Sequence, residues 1–358
     1  MTSYLLYMVS PIIIALFVAI ITNESVFENK LSTRTFFVIS FIVIALMIGL
    51  RHYSNGSTDT MFYCKNWIKL SKMSFPQFKD FLNEADMEKG YLLFAWSFSQ
   101  IFPKYQALLI ISGIFFAFSI CSFLKKNCKN PMLGLLIFNC FGLFNFLVQG
   151  LRQGIAMCIC LFAIEFYKKN KPIRFVIVVF IASLFHASAW IFLIVYFLRF
   201  LKITLPSFFL FITGGVIGFS LLPKVFEIMN TIINDEYEIG TASEEGGIIT
   251  IAIYLVITFV TLFLYDKSKE NEFYAMFFYM CCIAMTAMIM RNFVSSIVER
   301  IAHYFSFGVL VTVPNCIENI EDRALKSTVT IIVSLLFIIL AIHKATYSTL
   351  VPYEFFWR

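Results

Sequence analysis

The side chains of this sequence best suited to chemistry are few, and they stand beside apolar runs: Arg51, Asp59, Arg152, His186, Arg291, Glu299, Arg300 and Tyr353. Ionisable groups at membrane depth cost about 2.5 to 3.5 kcal/mol each on insertion scales, so a chain that keeps them there marks them as functional candidates. A guanidinium holds its charge at physiological pH and grips phosphate oxygens through two parallel hydrogen bonds. The excess of arginine therefore points to an anionic ligand, and a membrane-embedded diphosphate headgroup fits. Several of these residues also suit plainer roles. Arg51 and Arg152 fit snorkelling at helix ends. Asp59 closes the turn-forming run SNGSTD and fits an N-cap as well as a base. Glu299 and Arg300 fit mutual neutralisation, and a lone His186 fits a satisfied core histidine. Glu84, Asp86 and Glu88 alternate like divalent-metal ligands but read better as a solvated loop.

The stretch from Gly150 to Phe200 must position two of the candidates. Arg152 opens an apolar run that ends at a basic turn of Lys168, Lys169, Lys171 and Arg174, and a second run climbs back to His186. At 1.5 Å per residue the first run covers roughly 24 Å and the second about 20 Å of a hydrocarbon core about 30 Å thick. Arg152 and His186 thus lie toward the same membrane face. The runs on either side of His186 are short, which predicts a broken helix pair. Such breaks are tolerated at membrane depth only beside protein or a water-filled cavity, so a cavity is expected there.

Composition agrees. Of 358 residues, 60% are hydrophobic and only 14% charged, against about 25% charged in soluble domains. The net charge of +6 comes from short basic clusters between apolar runs, which argues membrane topology and not nucleic-acid binding. Cys121, Cys140, Cys158, Cys160, Cys281, Cys282 and Cys316 lie in apolar runs as small hydrophobes. The four histidines are too scattered to complete a zinc spacing. Met1 to Ile21 lacks a basic start and a cleavage site and reads as a retained first helix.

The expected fold is an all-α polytopic membrane protein, one integral domain over 1–358. Helices are predicted near 4–22, 35–50, 105–124, 131–149, 152–167, 173–185, 187–200, 206–222, 248–265, 272–290, 301–317 and 325–343, about twelve in all, several of half-membrane length. With the amino terminus outside, fifteen lysines and arginines lie inside, against four in the short outer connections, or thirteen with the long ones. Short connections carry the orientation signal. Two outer segments are large. Residues 51–104 carry interfacial helices, one with Met61, Phe62, Cys64, Trp67, Ile68 and Ser71 on one face and Lys65, Lys69 and Lys72 opposed. Residues 223–247 form an acidic flap.

The motifs in their order resemble the EpsG family: Arg51 and NGSTD ending at Asp59 with Tyr63, Glu88-x-Gly90-Tyr91, Leu151-Arg152-Gln153-Gly154-Ile155-Ala156, Phe185-His186-Ala187-Ser188-Ala189, Glu299-Arg300 with Tyr304-Phe305, and Val351-Pro352-Tyr353. The usual glycine-Thr/Ser-Asp turn is lengthened here to NGSTD. The resemblance implies a GT-C-like, Wzy-like polymerase of bacterial exopolysaccharide, capsule or O-antigen in the plasma (inner) membrane. Its site would face the periplasm or exterior, and polyprenyl-diphosphate-linked glycans would be donor and acceptor. Membrane lipid and a chain-length regulator protein are the further expected partners, and neither cofactor nor metal is expected. Arg152 and Arg300 would then hold the diphosphate, with Arg51, Arg291 and Glu299 assisting. His186, or else Asp59, would take the acceptor proton, and Tyr353 would stack on a sugar. The rival functions are a flippase or transporter of lipid-linked oligosaccharide and a ligase with a different acceptor.

Overall fold

Long apolar runs become helices, three of them with a proline inside (Pro11, Pro223 and Pro314), and several breaks fall at glycine, proline and polar residues. The structure, a computed structural model, describes residues 2–22, 30–55, 58–233, 248–264, 273–294, 296–346, 348 and 350–357. In chain order the helices are α1 (Thr2–Thr22), α2 (Lys30–Gly49), α3 (Thr58–Leu70), α4 (Phe75–Glu84), α5 (Lys89–Ile101), α6 (Gln106–Asn127), α7 (Pro131–Phe141), α8 (Leu143–Gln149), α9 (Leu151–Lys168) and α10 (Pro172–Ser183). After a 3-10 helix at Ala187–Leu193 come α11 (Ile194–Phe197), α12 (Leu205–Ile233), α13 (Ile248–Leu264), α14 (Tyr274–Met290), α15 (Ser296–Ser306), α16 (Val309–Glu318) and α17 (Arg323–Ala345). Among the described residues five helices, α1, α2, α6, the Leu205–Lys224 part of α12, and α17, are long and apolar enough to cross a membrane. The bent pair α7–α8 makes a sixth.

The other expected runs are shorter or broken, each for a local reason. The run 131–149 bends by 55° at Gly142, whose φ of +112° suits glycine and strains other residues. The run 301–317 divides at Phe307 and Gly308, where a Cβ would stand 2.7 Å from the Phe277 carbonyl oxygen. Residues 187–200 wind as 3-10, α and 3-10 turns in place of one helix. Of the acidic segment 223–247, residues to Ile233 continue α12, and 234–247 lie outside the described residues.

The chain divides into two units, Met1–Trp190 with Asp322–Arg358, and Ile191–Glu321. In the first, α2 and α6 pack along their length. Small residues allow this approach, since a Cβ on Gly113 would lie 2.9 Å from the Ala45 carbonyl oxygen. The bundle continues through α9 against α6 and α10, and through α7 against α1 and α17. Helices α3, α4 and α5 have 13, 10 and 13 residues, about 15 to 20 Å each and too short to cross. Their seating is polar as well as apolar. The Trp67 indole donates to the Phe102 carbonyl at 2.8 Å and the Trp96 indole to Met73 at 3.1 Å, while Phe78 stacks on Trp96 at 4.7 Å. The packed face of α3 is Thr60, Tyr63, Cys64, Trp67 and Leu70. Phe62 and Ile68, expected on the apolar side of an interfacial helix, are exposed outside this packed face. Contacts with α5, α6 and α8 set the rotation, and composition alone does not.

In the second unit α14 is the centre. It is apolar all round, carries no charge, and is buried at nearly every position by α12, α13, α15 and α16. All nine cysteines of the chain are free and buried.

Candidate functional site

Arg152 stands in the first turn of α9, just after the Gly150 turn that ends α8. Gly154 lets this turn sit close to neighbours, since a Cβ there would meet Phe116 at 3.0 Å and Leu147 at 3.1 Å. A cation at a helix N-terminus faces the positive end of the helix dipole and needs an opposing charge. Glu88, at the N-terminal edge of α5, supplies it. Arg152 Nη1 donates to Glu88 Oε2 in an ion pair whose side chains are 19% and 20% exposed. Nε donates to the Tyr63 hydroxyl at 3.1 Å, and the guanidinium lies 5.5 Å from the Tyr63 ring and 5.9 Å from the Tyr91 ring. Nη2 makes no hydrogen bond with a described residue. The guanidinium is thus held on two sides, with donor capacity left over.

The same carboxylate reaches the break predicted at His186. The backbone N–H of Ala187 donates to Glu88 Oε1 at 3.0 Å, although the residues are 99 apart in sequence. His186 is half-buried between α10 and the 3-10 helix, and its Nδ1 shares a 2.6 Å hydrogen bond with the Ser188 hydroxyl. Arg152 and the backbone next to His186, expected at one face, are therefore tied to a single side chain. The alternation of Glu84, Asp86 and Glu88 reads as a solvated loop, whereas Glu88 is half-buried and paired. The available signal was the Glu88-x-Gly90-Tyr91 spacing, which carried no role.

Arg51 and Tyr353 also come together. The segment after α2 pairs with the carboxy-terminal segment through an isolated antiparallel bridge between Arg51 and Phe355. His52 donates its N–H to the Glu354 carbonyl at 2.8 Å, and Phe356 to Leu50 at 2.9 Å. Asn55 joins the two segments, donating to the Pro352 carbonyl at 2.7 Å and accepting from the Glu354 N–H at 3.0 Å. Beneath this seam Arg51 is wholly buried. Its Nη1 donates to the Asn55 carbonyl at 2.6 Å, while Nε and Nη2 find no partner among the described residues. Burial lowers its pKa from the ordinary guanidinium range to about 10, opposed by Cys64 and Tyr353. Burial also pushes the Cys64 thiol up to about 12 and the Tyr353 hydroxyl above its usual range.

Asp59 is exposed in the first turn of α3. In the second unit Arg291, at the end of α14, is buried and pairs with Glu299 of α15 at 2.6 Å. The neighbouring Arg300 is exposed. The expected mutual neutralisation of Glu299 and Arg300 gives way to the Arg291–Glu299 pair, because Arg291 is the buried cation. Among the described residues no three His, Cys, Asp or Glu side chains gather as metal ligands, and Glu88 is turned to Arg152. An open cavity of about 590 Å³ lies on α3 and α4, lined by Lys65, Ile68, Lys69, Lys72, Met73 and Gln77. None of the candidate residues lines it.

The fold defines a helical membrane protein, with five or six helices able to cross. A family model described as the EpsG family matches residues 34–355, nearly the whole chain. The chain belongs to the EpsG family, and that membership places it in polysaccharide biosynthesis at a membrane, as a polysaccharide polymerase in general terms. Searches of curated proteins and of solved structures each found no match.

Proposed function

We propose that this chain polymerises polyprenyl-diphosphate-linked oligosaccharide repeats by glycosyl transfer on the outer face of the plasma membrane, in a GT-C-like manner. The observation that carries the proposal is the half-buried Arg152, fixed by Glu88 and Tyr63 at a helix N-terminus with Nη2 uncommitted, beside the break that holds His186. In the reaction an acceptor hydroxyl oxygen bonds to the anomeric carbon of the donor. The bond from that carbon to the diphosphate oxygen breaks, and the leaving group departs with the electron pair. Arg152 stabilises the charge that develops there. Preorganised charge of this kind is usually the largest single contribution to such catalysis. Arg300, Arg291 and Glu299 assist at the donor or acceptor headgroup, wholly buried Arg51 acts there through its charge and not by contact, and Tyr353 assists at a sugar. The acceptor proton goes to His186, whose ring is oriented by Ser188, or to Asp59. A positioned base contributes about 10²- to 10⁴-fold.

The test is the length distribution of surface polysaccharide, on a gel, from a host lacking the chain and from the same host complemented. A ladder that collapses to one repeat identifies a polymerase. Loss of all surface sugar, first repeat included, identifies flipping or ligation and overturns the proposal. Arg152→Ala and His186→Ala are each expected to abolish chain growth at normal protein level. Full-length polymer from either variant removes that residue from the mechanism.

A further inference from the structure

We infer that Glu88 is a positioning residue: it locks the guanidinium of Arg152 to the chain break beside His186, so that the two are presented to substrate as one rigid unit. The inference rests on the headgroup role of Arg152. Both carboxylate oxygens are committed, Oε2 to Arg152 Nη1 and Oε1 to the Ala187 N–H. The Ala187 amide opens a 3-10 helix and has no earlier turn to bond to. The one side chain thus satisfies an orphan donor and sets the rotation of the guanidinium.

The surrounding residues show that this reach is built and not incidental. Two residues on from Glu88, a Cβ on Gly90 would lie 2.5 Å from Leu184 Cβ and 2.6 Å from the Leu184 carbonyl oxygen. Only glycine lets the first turn of α5 come down on the end of α10. Tyr91 then donates its N–H to that Leu184 carbonyl at 3.0 Å and sets its ring beneath Arg152. Consecutive positions of α5 therefore fasten to the same break. A surface ion pair contributes about 0 to 1 kcal/mol and needs no such seating. With Nη1 on Glu88 and Nε on Tyr63, the guanidinium plane is fixed and Nη2 is left as its uncommitted donor. Glu88 acts through Arg152 and does not itself touch the substrate.

The experiment uses the full chain in lipid nanodiscs, with undecaprenyl diphosphate as probe and undecaprenyl monophosphate as control, alongside the polymer gel. Glu88→Gln keeps an oxygen for the Ala187 N–H but turns an amide toward Arg152. It is expected to weaken diphosphate binding and chain growth by about 100-fold, the scale of a misplaced reacting group, with its melting temperature unchanged. In an Arg152→Ala background, Glu88→Gln is expected to add nothing. Gly90→Ala, which must lift α5 from Leu184, is expected to give the same loss by another route. Wild-type binding in Glu88→Gln would make Glu88 a cap for the 3-10 helix alone, and tighter binding would make it a competitor of the ligand. A further loss on top of Arg152→Ala would make it act independently of Arg152. Each of these results overturns the inference. If Arg152→Ala itself binds and polymerises normally, the headgroup role falls first; if only Glu88→Gln does, the inference falls alone.

Discussion

Arg51→Met is expected to make the protein more stable and less active. Arg51 has no exposed surface, and the Asn55 carbonyl is its only hydrogen-bond acceptor among the described residues. The groups that favour its charge, Cys64 and Tyr353, are themselves neutral near pH 7, because burial raises both. The drop from the ordinary guanidinium range to about 10 corresponds to about 3 kcal/mol. The sign follows from the lowered value for a base. The folded state binds the proton less well than the unfolded state, so the penalty is complete at every pH below about 10 and is relieved only as pH rises above about 10 into the ordinary guanidinium range. Methionine fills a similar volume without charge, and the lost bond to Asn55 takes back about 1 kcal/mol. The net expectation at pH 7 is a gain of about 2 kcal/mol. Unfolding of purified wild-type and variant protein in mild detergent, followed by tryptophan fluorescence, measures it. A loss of stability in Arg51→Met would refute the reasoning, by showing that the guanidinium has a charged or polar partner that compensates burial. Full chain growth in the stabilised variant would remove Arg51 from headgroup binding.

Two further outcomes concern stability. Gly142→Ala places a Cβ on a residue with φ of +112° and should cost about 1 to 2 kcal/mol, opening the α7–α8 bend; an unchanged melting temperature would argue that the bend is not held at that angle. Glu299→Gln removes the partner of buried Arg291. Because the Glu299 side chain is 33% exposed, the loss should be about 1 to 3 kcal/mol, short of a fully buried pair. Adding Arg291→Gln should recover part of that loss, and simple additivity would deny the pairing.

The apolar runs determined the helices, and the polar interruptions determined where they end. Arg152 at one end of α9 and His186 past the end of α10 were legible, because rise per residue converts spacing into depth. Gly142 and Gly308 were visible as letters, but periodicity does not distinguish a glycine that packs from one that bends the chain. The tertiary structure decided which side chains meet. Glu88 finds Arg152 across 64 residues and Ala187 across 99, and Arg51 lies under a carboxy-terminal segment some 300 residues away. The rotation of α3 was likewise set by the helices beneath it, since several faces of that helix are apolar enough to be buried. Local sequence fixes an element's period and its ends. A partner across the fold depends on how whole elements pack, and so the identity of the carboxylate that steadies Arg152 appeared only in three dimensions.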